Sequence, residues 1–508
     1  MNSEKGQALP LAIIAFAIGS LVVAPFLSHA GTSLNSSRLY AEEIGCRSAA
    51  DAGVEHAIWG LTKGTLAEQI PDAGDEITYQ LDETLNGVNV TVTVTTDAVI
   101  PGGGILGDIN NAVTDSYIYD NAYCNAPEIA HVYGYVYAIV YQGPGSDGFL
   151  VTLVINPDGT VPGTVLDTLE FDTTNCGTPD ILQVSGGIFA IVYCGPNNDG
   201  FLKTVSIDAA GAIGDTVIDI LEFDTSNGYE PDIISVGGGG YAIAYRGTGS
   251  DGFLKTVSID AAGAIGDTVK DTLEFDTSNC AHPDIENIAG SVYAIAYQGP
   301  GSDGFLKTVT ITSGGDIAAD ITDTLEFDIS NCAYPDIIHI SGDTYAITYQ
   351  GTGNDGFLAT MTVTATGEIS ASTIDTFEFD TVSGQEPRII HIKDNVYAIA
   401  YAGAQNDGYI ITLPVEADGT IPDTIIDTLE YDTSNGFSPS ILLIAQGILA
   451  IAYCQPDARG FLATIGINTE AGSAAASYQI ESAAGDINIR ASVNIDAIAA
   501  SIVSWSVE

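Results

Sequence analysis

Basic residues are scarce in this chain: 13 Lys and Arg stand against 66 Asp and Glu in 508 residues, a formal net charge of −53. A surface of that sign repels phosphate backbones and anionic headgroups, which excludes nucleic acid as a partner. The acidity reads instead as a solvated coat that keeps an exported or salt-exposed protein soluble, with recruitment of cations or cationic ligands as the second reading. Also missing are a nucleophile elbow, a zinc-ligand spacing and a phosphate-cradling glycine loop, so no catalytic residue and no metal ligand is expected. Calcium is only weakly signalled as a cofactor, because no turn has the D-x-[DN]-x-[DN]-G spacing. One carboxylate per turn leaves most of roughly six to eight oxygen positions unfilled, and the expected cofactor set is none. Long apolar runs are absent but for residues 8–27, interrupted only by Pro10, Ser20 and Pro25. As a helix rising ~1.5 Å per residue, that run spans about 30 Å, the thickness of a bilayer core. A hydrophobic content of 45% argues for an ordered core and against an acidic disordered tail.

What the chain has in abundance is repetition. Pro127, Pro179, Pro231, Pro283, Pro335 and Pro387 follow one another at intervals of 52 residues, and a seventh copy begins at Pro439 and fades after Ile467. Each copy reads approximately PDIIHISGDTYAIAYQGPGSDGFLKTVTI, a glycine-containing turn, then DTLEFDTSNC. Its four runs are rich in β-branched and aromatic residues and are separated by Gly, Pro, Asn and Asp, so each copy is predicted to hold four strands. Four strands in a period of about 40 to 50 residues is the pattern of a propeller blade. The seventh copy has no DTLEFD, but Asp115–Asp120 lies 52 residues before Asp167–Asp172 and supplies it. The expected architecture is a seven-bladed β-propeller over residues 109–468, closed by its own N-terminal strand so that no sheet edge is left open. The copies resemble the tandem propeller repeats of secreted prokaryotic proteins.

The residue after each proline opens the innermost strand of a blade. Glu128, Asp180, Asp232, Asp284 and Asp336 therefore gather negative charge at the central mouth, and Arg388 and Ser440 interrupt the ring. The pair before each proline varies between copies, and Tyr229, His282 and Tyr334 offer rings on which a sugar or peptide would stack. Asp180, Asp232, Asp284, Asp336, Tyr229, His282 and Tyr334 form the candidate ligand-binding rim. The aspartates of the SDG-type turns, Asp147 among them, read as turn chemistry. One register of the innermost strand stays polar while changing identity, and His131, Gln183, Asn287, His339 and His391 are expected to line a solvated channel. Cys124, Cys176, Cys280 and Cys332 share one register, and Cys194 and Cys454 share another. Disulfides 124–176 and 280–332, a single bridge 124–454 across the closing seam, and free buried thiols are the alternatives. Cys46 has no evident partner.

The two ends of the chain form a second domain. Leu34, Leu39, Ile44, Ala52, Ile58 and Leu61 recur at helical spacing after the apolar run. Strands alternate over residues 76–94 around Asn86-Gly87 and again from Tyr478 to Val507. The natural arrangement is one small sheet packed on the helix, with the propeller inserted in a loop, because the first and last strands of a closed propeller share a blade. Lys5-Gly6 ahead of an apolar helix, then Ser48-Ala-Ala-Asp-Ala-Gly-Val-Glu-His-Ala57, resembles the N-terminus of type IV pilin-like proteins, especially minor pilins. The ending Ile502-Val-Ser-Trp-Ser-Val is similar to their last strand. The resemblance implies a leader, residues 1–6, removed after Gly6 so that Gln7 becomes the N-terminus. It further implies a transmembrane and amphipathic helix over 7–63, anchoring in the cytoplasmic membrane through residues 8–27, and pilus or pseudopilus subunits as partners. Leu11 stands where the family carries a glutamate, which implies a minor, tip or pseudopilin-like subunit. The pilin-like sheet then occupies 64–108 and 469–508. The functional expectation is a cell-surface or pilus-associated subunit, not an enzyme, displaying a propeller that adheres to an extracellular glycan or protein. The alternative is a secreted propeller lectin or carbohydrate-active enzyme, cut by signal peptidase after Ser28-His29-Ala30.

Overall fold

The computed structural model describes residues 44–61, 66–70, 74–81, 84–99, 105–445, 447–455, 459–469, 476–496 and 499–507. They belong to two compact units, one drawn from the chain before Ile105 and after Thr469, the other running from Ile105 to Thr469. The leader, the apolar run 8–27 and Leu34 and Leu39 lie outside the described residues. Among the described residues no helix is long and apolar enough to cross a membrane.

The larger unit is mainly β and has a propeller arrangement of seven four-stranded antiparallel sheets. The first consists of Asn125–Tyr133, Val136–Gln142, Gly148–Val154 and Val165–Asp172, paired in that order, and five further sheets repeat it. The last is composite: Phe437–Ala445, Ile448–Cys454 and Gly460–Gly466 are completed by Asp115–Asp120, with Asp115 opposite Thr464 and Tyr117 opposite Leu462. Each innermost strand packs beside that of the next copy, and the last packs beside the first. The Tyr137 hydroxyl reaches the Ile444 carbonyl at 3.2 Å across that final junction. The second strand of each sheet is buried nearly throughout, as its unbroken apolar sequence requires, and a separate apolar cluster fills each gap between neighbouring sheets.

Many of the aspartates that make the sequence so acidic join neighbouring sheets. The first Asp of each DTLEFD accepts a backbone N–H from the neighbouring sheet, 46 residues on in Ile213 N–H to Asp167 Oδ2 at 2.8 Å and Ile317 N–H to Asp271 Oδ2 at 2.8 Å, and from Ile109 N–H for Asp427 at the closure. The composite sheet keeps the pattern, with Val161 N–H bound to Asp115 Oδ2 at 2.8 Å. The last Asp of the same run caps the following turn with one oxygen and takes a tyrosine hydroxyl of the next copy with the other. Asp172 Oδ1 accepts from Thr174 and Asn175 N–H, and Oδ2 accepts from Tyr193 Oη at 2.6 Å. A buried threonine on each third strand donates to the carbonyl of a turn glycine in the next copy, as Thr204 does to Gly263 at 2.6 Å. The turn needs glycine there because its φ is +90°. A solvated coat is thus only part of the reason for the charge; each carboxylate in these registers satisfies a backbone or hydroxyl donor that burial would otherwise leave unpaired.

The smaller unit contains a helix over 44–61 and a five-stranded sheet ordered Glu76–Gln80, Val90–Val99, Ala476–Ala484, Ile487–Asp496, Ala499–Val507. The two chain ends meet where Val94 pairs with Ile480 and Val90 with Ala484. Asn86 and Gly87 both have positive φ, 52° and 78°, which is the tight turn their pair favours. The helix face against the sheet keeps Ile58 and Leu61 of the expected stripe but is otherwise made of smaller residues. Ala49, Ala50, Val54, Ala57 and Leu61 are buried, whereas Ile44 is 68% exposed. Small side chains are needed because the sheet approaches closely: a Cβ on Gly53 would meet Val90 at 2.8 Å and collide with the Ser482 side chain.

Candidate functional site at the central mouth

At one end of the innermost strands a cavity of about 480 Å³ opens, walled by two rings of side chains. The deeper ring is Glu128, Asp180, Asp232, Asp284, Asp336, Arg388 and Ser440, the residues after each proline. The outer ring is the residue before it: Ala126, Thr178, Glu230, His282, Tyr334, Glu386 and Ser438.

The deeper ring also latches the sheets together. Ile285, Ile337 and Ile389 N–H donate to Asp232, Asp284 and Asp336 Oδ2, each at 2.7 Å, and Ile233 N–H donates to Asp180 at 3.1 Å. At the closing junction Ser440 Oγ donates to Glu128 at 2.6 Å and accepts from Ile129 N–H. Arg388 bridges the ring, 3.1 Å from Glu128 and 3.5 Å from Asp336. Burial raises the Glu128 and Asp336 carboxyls to about 7 against the pull of Arg388, and raises Asp284 to about 6. Asp232 is pushed well above the usual range by burial and by the carboxylates of Asp284 and Asp180. Glu286, two residues further along its strand, is raised to about 7 by burial and by Asp336. A carboxyl whose pKa is higher in the folded state contributes stability below its unfolded pKa, near 4, and loses it as pH climbs through the folded value. The melting temperature is therefore expected to rise as pH is lowered from about 8 to about 5. A calorimetric profile that is flat or falls over that range would contradict these assignments.

The outer ring is built by strain. All seven residues have φ between 41° and 51° although none is glycine, and the strand ladder slips at this point in every copy. Left-handed backbone at a non-glycine residue costs roughly 1–3 kcal/mol, and such positions cluster at ligand clamps. The bulge turns each variable side chain into the cavity. His282 and Tyr334 stack at 3.8 Å between centroids, and Glu230 accepts the His282 N–H at 2.8 Å while lying 3.0 Å from Arg246. Burial lowers the His282 pKa against the opposing pull of the Glu230 carboxylate. Glu386 accepts from the Ser438 N–H and hydroxyl at 2.7 and 2.8 Å.

The structure thus brings Asp180, Asp232, Asp284, Asp336, His282 and Tyr334 to one cavity. Tyr229 is not among its lining residues; it lies under the Arg246 guanidinium, 4.9 Å from the ring centre. The polar register expected to line the channel has a local task in its own hairpins. His131, His339 and His391 each reach the carbonyl three residues on, Gly134, Gly342 and Asp394, at 2.9–3.0 Å. Gln183 and Asn287 do the same to Gly186 and Gly290. These side chains close their own hairpins, which explains why the position stays polar, and none lines the mouth cavity. Among the described residues no three His, Cys, Asp or Glu side chains are gathered to hold a metal. Sequence reasoning passed over Glu230, Glu386 and Glu286; the signal for the first two was their place immediately before a proline.

Cys124 and Cys176 lie in different apolar clusters, as do Cys280 and Cys332, so bridges 124–176 and 280–332 do not fit the fold. In the structure all six are free buried thiols, and at the seam the Cys124 and Cys454 Sγ atoms come within 2.7 Å of each other.

No family model matches the chain, and no curated protein matches it. Solved structures similar to it include the periplasmic gluconolactonase PpgL of Pseudomonas aeruginosa, at 13% identity and a TM-score of 0.45 over 59% of this chain and 84% of that one. Another is Sqt1 of Chaetomium thermophilum, at 10% identity and a TM-score of 0.47 over 70% and 99%. The propeller assignment rests on the strand ladders described above.

Proposed function

We propose that the seven sheets are the blades of one wheel, carried by a pilin-like surface subunit, and that the wheel binds an extracellular glycan or peptide at its central mouth. The observation that carries this reading is the outer ring, in which one strained backbone conformation recurs in every copy while the side chain it presents changes from Ala to Thr, Glu, His, Tyr, Glu and Ser. A constant mount with variable tips is what a recognition surface requires, and strain retained seven times argues for a use. The His282–Tyr334 stack supplies a flat apolar face for a sugar ring. Carboxyls raised to about 6 or 7 are partly protonated near neutral pH, so they both donate to and accept from hydroxyl groups.

The pilin-like part of the proposal draws support from the segment Ser48–Ala57, whose small residues let the helix lie flush on the sheet. On this reading the protein sits at the cell surface, held in the cytoplasmic membrane through residues 8–27 or assembled into a pilus. The test has two arms. Sequencing the mature N-terminus should give Gln7, and Gly31 would instead support release by signal peptidase. A glycan array probed with the full-length chain should yield a ligand whose affinity falls at least tenfold, ~1.4 kcal/mol, in Tyr334→Ala and His282→Ala. Unchanged binding in both variants would remove the mouth as the site.

A further inference from the structure

We propose that Cys124 and Cys454 form a disulfide that locks the wheel at the one sheet assembled from both of its ends. Cys454 ends the second strand of the composite sheet, and Cys124 follows the strand Asp115–Asp120 that closes it. The two sulfurs lie 2.7 Å apart, inside the packing distance of unbonded sulfur atoms, and the side chains are buried. The repeat supplies the comparison. At these two registers Cys176, Cys280 and Cys332 answer to Gln142, Arg246 and Gln298, and Cys194 answers to Gly228. Only the composite sheet carries cysteine at both positions, and it is the sheet whose fourth strand is not continuous in sequence with its first three. A cross-link between residues 330 apart in the chain removes far more freedom from the unfolded ensemble than one within a copy would.

The bond forms by exchange with a disulfide donor such as oxidised glutathione. One cysteine thiolate attacks a donor sulfur and releases the first donor thiolate; the second cysteine then attacks the mixed disulfide and releases the other. The two cysteine protons end on the two released thiols, the cysteines are oxidised, and the donor is reduced. Burial and the neighbouring Cys124 sulfur push the Cys454 thiol far above its ordinary pKa. In the closed wheel that thiol is a poor nucleophile, so exchange belongs to the stage at which the last strand docks. The lock does not depend on what the mouth binds.

The test is peptide mapping of the full-length chain, refolded with oxidised and reduced glutathione and alkylated without reduction. The expected result is a linked peptide pair containing Cys124 and Cys454, with Cys176, Cys194, Cys280 and Cys332 alkylated. Both seam cysteines alkylated, or either linked elsewhere, would overturn the proposal. Thermal melts give an independent reading: reductant should lower the wild-type midpoint to that of Cys124→Ser and leave the variant unmoved. A wild type insensitive to reductant argues against the bond.

Discussion

Asp172→Ala is expected to destabilise the wheel by about 3–5 kcal/mol, the usual consequence of stranding one member of a buried ion pair. Asp172 Oδ2 accepts from Lys203 Nζ at 2.7 Å and from the Tyr193 hydroxyl, and the Lys203 and Asp172 side chains are only 8% and 9% exposed. Burial alone would raise the Asp172 carboxyl, but hydrogen bonds from Lys203, Thr174 and Tyr193 hold it well below the usual range. Its contribution is present above the unfolded pKa, near 4, and is lost as pH falls through the depressed folded value, opposite in sense to the mouth carboxyls. Lys203→Val should be milder. The first copy has Val151 at that register, and there Asp120 keeps its tyrosine partner, Tyr141, at 2.8 Å. Urea midpoints of the two variants decide the matter: equal losses would mean that the lysine, rather than the aspartate it neutralises, organises the junction.

Deleting residues 115–120 should have the larger consequence for assembly. It strips the outer partner from Gly460–Gly466 and removes the acceptor for Val161 N–H, exposing a strand edge of mostly apolar sequence. The single cooperative transition should be lost and the chain should elute in light scattering as dimers and larger species. A monomer with an unchanged melt would show that the composite sheet does not hold the ring.

Much of this was legible before any coordinates. The 52-residue register identified the strand that completes the last sheet because its apolar alternation matches the DTLEFD run of every copy. The acidic ring followed from the residue after each proline. The latches were hidden because their donors lie 46 or 53 residues away, in a neighbouring sheet, so nothing within one copy reveals them. An aspartate repeated at the same place in copy after copy is the trace they leave, since a backbone N–H needs an acceptor there, a part that Ser440 takes for Ile129 at the closing junction. The hairpin-capping role of the polar register was hidden for the opposite reason: His, Gln and Asn are interchangeable wherever the demand is only for a side chain that reaches a carbonyl three residues on. The helix stripe holds at Ile58 and Leu61 and departs at Ile44, because close approach at Gly53 selects Ala and Val for the rest of the buried face.

Ile105–Asp108 and Gly466–Asn468 run side by side at the foot of the wheel, joined by Gly107 N–H to Asn468 O at 2.9 Å and Asn468 N–H to Asp108 O at 2.8 Å. A module whose two tethers leave from one spot can be grafted into a host loop without stretching it, and its size places no demand on the host. Its copy number is another matter. Each sheet grips the next by the same offsets all the way round, so gaining or losing one 52-residue copy changes the curvature of the whole circle, while exchanging a single pre-proline residue changes only what the hub presents.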